Sequence, residues 1–111
     1  MIKKNFIEFN LGGQVRRFYL GIGFLSLYID ETGNSIEQLE SLSQKNPFKE
    51  IPILMYYAAM YGYKRQNQEI DFTLVDLLDW LDDADAFSNG IFSQFSEAFT
   101  GALSGGTPKV E

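Results

Sequence analysis

In "NFIEFNLGGQVRRFYLG" apolar and polar residues alternate at period two on either side of Gly12-Gly13, which predicts two strands, Phe6–Asn10 and Gln14–Leu20, joined as a hairpin. The glycine pair supplies the positive backbone angles that a primed two-residue turn needs. A lone hairpin is marginal in water, so an apolar surface must lie beneath it.

Helical spacing takes over after Leu20. "GIGFLSLYIDETG" predicts a short helix stopped by Gly33 in the left-handed C-terminal position. "SIEQLESLSQKN" predicts another, with Ser35 as its cap and Gln38 three residues on. "NPFKEIPILMYYAAMYGYKRQNQ" contains two prolines, and one placed several turns inside a helix would lose a hydrogen bond and clash with the preceding turn. Pro47 is therefore expected to open a turn and Pro52 the helix proper, which should run to about Lys64. From Ile53 to Tyr61 this segment is apolar on every side, the pattern of a central helix with tyrosine hydroxyls led to its edge. The wall of a ligand pocket would read the same way.

In "EIDFTLVDLLDWLDDADAF" a helix start is signalled three ways: Thr73 as cap, Asp76 three residues later, and Phe72 with Leu77 at the positions of a hydrophobic staple. Leu74, Leu77, Leu78 and Leu81 form one stripe, and Asp76, Asp79, Asp82 and Asp83 spread over the opposite side. Trp80 lies off the leucine stripe, beside the Asp76/Asp83 edge, so either a neighbouring element covers it or it is an anchor facing a partner. After a turn at "SNG", "IFSQFSEAFTGAL" puts Phe92, Phe95, Phe99 and Ala102 on one helical face. "SGGTPKVE" has no periodicity and is expected to be a flexible tail, 104–111, behind a single globular domain, 1–103. The expected architecture is α+β, mainly α: an N-terminal β-hairpin packed on about five helices.

Composition narrows the chemistry. A chain of 111 residues buries one core, and its 45% hydrophobic content suffices to form it. No apolar run approaches the ~20 residues of a membrane span, and Lys3-Lys4 is followed by alternating polar residues instead of the apolar stretch of a signal peptide, so an intracellular, membrane-free protein is expected. The absence of Cys and His removes disulfides, thiolate nucleophiles and the commonest general base and metal ligands. The net charge of −6 does not suit nucleic-acid binding, although the first twenty residues carry +3. A protein partner is the better expectation.

Individual motifs fail as sites. An EF-hand loop started at Asp83 meets Phe87, Ser88 and Gln94 where a ligand, the glycine and the glutamate belong; started at Asp85 it meets Phe87 and Ser96. Asp79 and Asp83 have no nucleophile or oxyanion donor beside them, so no hydrolase is expected. "GIGFLS" has Ser26 in place of the last glycine of a dinucleotide fingerprint, and its glycines serve a tight strand-to-helix corner. No catalytic residue, metal ligand or cofactor is predicted. Six aspartates between 71 and 85 leave open an acidic mimic of DNA, or another small protein-binding inhibitor.

The order of these elements resembles a family. A basic hairpin runs into a glycine-containing corner and short helix ("RRFYLGIGFLSLYIDETG"), then a Pro-started apolar helix ("IPILMYYAAMYGYKR"), the capped acidic helix "TLVDLLDWLDD" and a final Phe-rich helix. From Phe6 to Leu103 this is similar to the small tail assembly chaperones of long-tailed bacteriophages and prophages. The resemblance implies a mainly helical, self-associating, non-enzymatic protein of the bacterial host cytoplasm that is left out of the mature virion. It would keep the aggregation-prone tape-measure protein soluble until tail-tube protein replaces it, in some cases also through a longer frameshifted form. A holdase needs exposed apolar area kept soluble by charge, which aromatic stripes beside a dense acidic face provide. Trp80, Phe95 and Phe99 are the predicted partner-binding residues, through apolar grooves that take helices.

Overall fold

A computed structural model describes residues 6–85 and 89–103, without the side chains of Ala102 and Leu103. The predicted tail at 104–111, Ser88 of the "SNG" turn and the place of Ala102 on its stripe lie outside the described residues. The chain runs β1 (Phe6–Leu11), β2 (Gln14–Tyr19), α1 (Ile22–Thr32), α2 (Ile36–Lys45), α3 (Pro47–Arg65), α4 (Leu74–Asp83) and α5 (Ile91–Leu103). This is the α+β, mainly α architecture expected, an antiparallel hairpin with five helices. No described helix is long and apolar enough to cross a membrane.

The strands pair with Leu11 opposite Gln14, Phe9 opposite Arg16 and Ile7 opposite Phe18. Gly12 and Gly13 both have positive φ, 65° and 86°, as a primed turn requires of its two central residues. Opposed residues share a face, so one side of the ribbon carries Ile7, Phe9, Leu11, Phe18 and, among them, Arg16. The other carries Glu8 and Arg17, joined by a 3.0 Å ion pair.

Local signals close the helices where neighbouring residues dictate. Gly33 (φ 77°) ends α1, its N–H donating to the Ile29 carbonyl at 2.8 Å. Ser35 Oγ accepts from the Gln38 N–H (3.1 Å) while Gln38 Oε1 accepts from the Ser35 N–H (2.7 Å), a reciprocal cap for α2. Thr73 and Asp76 make the same exchange at 3.1 and 2.9 Å to start α4. Phe72 and Leu77, the two staple positions, are both buried.

The expected start of the central helix at Pro52 is corrected. α3 begins at Pro47 and runs through Pro52 without a break. The Asn46 carbonyl accepts from the N–H groups of Lys49 (3.1 Å) and Glu50 (2.8 Å), so the first turn is already helical. Pro52 lies little more than one turn inside. The ladder bond it cannot make is the single one to the Phe48 carbonyl four residues back, and its fully buried ring gains packing in exchange.

α3 is the hub: β2, α1, α2, α4 and α5 all pack against it, and β1 closes over α4 and α5. Leu54, Met55 and Ala58 are wholly buried at its middle, facing a core that includes Phe18, Phe24, Tyr28, Leu39, Leu77 and Phe95. The tyrosines do sit at the edge of this helix: Tyr56, Tyr57, Tyr61 and Tyr63 are half-buried. Tyr56 donates its hydroxyl hydrogen to the Phe72 carbonyl at 3.2 Å.

Because Leu54 is the centre of the hub, Leu54→Ala should lower unfolding free energy by about 2–5 kcal/mol. Ser35→Ala, which removes only a cap, should cost about 1 kcal/mol. Urea unfolding followed by circular dichroism measures both, and equal losses would contradict the hub assignment.

Candidate functional site

The three residues singled out for partner contact fall into two environments. Phe95 and Phe99 are 0% and 3% exposed. Phe95 meets Phe18 edge-on with centroids 6.4 Å apart, Phe99 meets Phe24 edge-on at 6.1 Å, and the two are stacked on each other at 6.4 Å. They close the core against the hairpin and α1. Of the predicted α5 stripe, Phe95 and Phe99 turn inward because β1 and α3 both pack on α5, whereas Phe92 is half-buried at the edge of a groove.

Trp80 is half-buried, and the hairpin is what covers it. Its ring lies so close beneath the turn that a Cβ on Gly12 would come within 2.5 Å of the indole. On the same side the Arg16 guanidinium sits 4.2 Å from the Trp80 ring centre and 5.0 Å from that of Phe72, and these two rings are themselves 4.9 Å apart. A cation over aromatic faces with little water present is worth up to about 2 kcal/mol. The Trp80 edge thus ties the hairpin to α4.

Arg16 is the residue that composition and motif reading passed over. It is 8% exposed. Its Nε–H donates to the Leu11 carbonyl at 2.9 Å, and Nη2 and Nη1 make longer 3.5 Å bonds to the Gly12 carbonyl and the Tyr63 hydroxyl. Tyr63 in turn donates to Asp71 Oδ1 at 3.0 Å. Burial, then the bond to Asp71 and its charge, push the Tyr63 phenol above its usual range, with Arg16 pulling the other way. Tyr63 therefore stays a neutral donor around neutral pH. The signal was present in the alternation: Arg16 has the parity of Phe18 and Leu20, so it must share the inner face, while Val15 points outward and is exposed.

Beside Arg16 opens a cavity of about 290 Å³ between β2, the end of α3 and the segment leading to α4. Gln14, Arg16, Arg17, Tyr63, Gln66 and Gln68 supply its polar wall.

Apolar surface left open lies elsewhere. Along α1, Ile22 (83% exposed), Leu25 and Ile29 line a shallow groove with Ser26 and Asp30. Phe48 (63% exposed), Pro52, Leu78 (40% exposed), Leu81 and Phe92 line a second groove, rimmed by Asp82 and Asp85. Leu78 belongs to the predicted leucine stripe, yet only Leu77 and Leu81 of that stripe are buried. The stripe is wider than the surface α3 offers to cover it.

The carboxylates of α4 are exposed as expected, but Asp76 is turned back onto the Thr73 N–H and does not join an outward row with Asp79, Asp82 and Asp83. Among the described residues no group of three or more carboxylates is placed to hold a metal ion.

Two substitutions test this geometry. Gly12→Ala must both adopt φ 65° and displace the indole, whereas Gly13→Ala meets strain alone, with open space around its Cβ. Both should destabilise, Gly13→Ala by about 1–2 kcal/mol and Gly12→Ala by clearly more, with a shift of tryptophan emission only in the latter. Phe95→Ala should cost about 3–5 kcal/mol of stability as a core truncation; a variant of unchanged melting temperature would return Phe95 to the surface.

No protein-family model, curated protein or solved structure matches this chain.

Proposed function

We propose that this chain is a non-enzymatic tail assembly chaperone of a long-tailed phage or prophage, which binds apolar helices of a tape-measure protein and keeps them soluble in the bacterial cytoplasm. The observation that carries the reading is the pairing of open apolar residues with carboxylates on a small, net-acidic domain. Phe48, Leu78 and Phe92 lie against Asp82 and Asp85, and Ile22, Leu25 and Ile29 lie beside Asp30. Such surfaces bind the apolar stripe of an amphipathic helix, and the acidic rim favours a helix with Lys or Arg flanking that stripe. The element order that resembles the family adds to this. Contact then passes from Phe95 and Phe99, which are buried, to the exposed Ile22, Phe48 and Leu78. Open apolar faces on so small a domain also favour self-association, which makes a homo-oligomer part of the proposal.

The test is co-expression with the long, helical, tape-measure-like protein of the same genome, followed by size-exclusion chromatography with light scattering. The long chain should become soluble in a complex containing many copies of this one. Ile22→Ser and Leu78→Ser should each leave stability within about 0.5 kcal/mol, as surface changes do, yet reduce the soluble long chain several-fold. Were the protein an acidic mimic of DNA, Asp79→Asn with Asp83→Asn would abolish partner binding and the two serine variants would not. An insoluble long chain beside a monomer of this protein would refute the chaperone reading.

A further inference from the structure

We propose that the cavity beside Arg16 is a binding site for a carboxylate group, held bidentately by the Arg16 guanidinium once the Gln14 side chain moves aside. The inference does not rest on the chaperone reading. It starts from a cation that is more than nine-tenths buried and makes no ion pair among the described residues. Buried charges are costly unless paired, and the partners Arg16 has are neutral: two backbone carbonyls, two aromatic rings, the Tyr63 hydroxyl and the side-chain amide of Gln14. Asp71 joins this network through that hydroxyl.

Nε–H makes a 2.9 Å bond to the Leu11 carbonyl, whereas the Nη1/Nη2 fork reaches the Tyr63 hydroxyl and the Gly12 carbonyl only at 3.5 Å, which leaves its close contact to an exposed side chain. Gln14 occupies the fork. With its amide oxygen turned toward Arg16, that oxygen accepts from Nη1 and Nη2 at 3.1 Å each. One oxygen bridging both nitrogens is a neutral substitute for the two oxygens that a carboxylate would present as parallel bonds, which are shorter and about twice as strong. Gln14 is exposed at the end of the hairpin turn, so it can leave without disturbing the core.

The rest of the wall suits an anion of one charge. Gln66 and Gln68 bring amide groups, and no carboxylate is among the lining residues. The cavity of about 290 Å³ accepts a small carboxylate, a peptide C-terminus or an Asp or Glu side chain.

The probe is sodium acetate replacing sodium chloride at constant ionic strength, read from the Arg16 Nε–Hε signal in nitrogen-15 NMR of the full chain. The signal should move saturably in the wild type, and at least about tenfold less tightly, a loss of about 1.4 kcal/mol, in Gln14→Glu, whose own carboxylate fills the fork. Gln14→Ala should bind acetate as well as the wild type or better. Three short acetylated peptides then separate the sources: one with a free C-terminus, its C-terminal amide, and that amide carrying an internal Glu. Binding of the first alone assigns a chain end, and binding of the third an acidic side chain. The proposal is overturned if acetate leaves the signal unmoved, if phosphate at matched ionic strength binds as tightly, or if Gln14→Glu titrates like the wild type. All variants are at an exposed position, and their melting temperatures verify that the fold is retained.

Discussion

Everything in this fold depends on the burial of α3. A two-stranded ribbon has no stable existence alone, and four of the five helices are 10–13 residues long, about the length at which isolated helices are marginal in water. Each becomes stable by giving its apolar side to α3. The hub can accept five neighbours because it carries bulk and smallness at different levels. Leu54 and Met55 fill the middle, while Ala58, Ala59 and Gly62 let the hairpin come close. At Gly62 the approach is so tight that a Cβ would lie 2.9 Å from the Tyr19 ring.

The contact between hairpin and α4 is of another kind. It is built on a charged side chain laid over Trp80 and Phe72 and hydrogen-bonded to the carbonyls of the turn beside it. A guanidinium is suited to this position because it is flat, weakly hydrated for an ion and able to stack while donating in its own plane. The arrangement fixes the orientation of α4 relative to the ribbon, and with it the direction in which Leu78 and the outer aspartates face. A charge buried in this way among neutral groups is also the feature that distinguishes the cavity beside it from an ordinary surface dent.

Charge and apolar surface are thus distributed by the packing. The basic residues Arg16 and Arg17 lie on the ribbon, with Lys64 and Arg65 at the last turn of α3, where cations complement the helix dipole. Arg65 lies over Tyr19, 4.8 Å from its ring centre. The aspartates lie along α4, next to the open groove formed with Phe48 and Phe92. An apolar groove rimmed by carboxylates offers contact area beside charge that opposes aggregation.

Much of the fold was legible in the amino-acid sequence: the Gly12-Gly13 turn, the stop at Gly33, the reciprocal caps at Ser35 and Thr73, and the apolar stripes of α4 and α5. All of these are set by residues within a few positions of one another, where backbone angles, capping bonds and side-chain period act directly. The entry of α3 at Pro47 is not legible locally, because the cost of Pro52 depends on how many turns precede it and on what its ring packs against. Which apolar residues stay open cannot be read locally either: Phe95 and Leu78 both sit on apolar helical stripes, and only the packed neighbours decide that one is covered and the other is not. Arg16 shows the same division. Its parity in the strand placed it on the inner face, but its partners Trp80 and Phe72 come from a distant part of the chain, and only the tertiary structure brings those rings beneath the hairpin and leaves a cavity at its side.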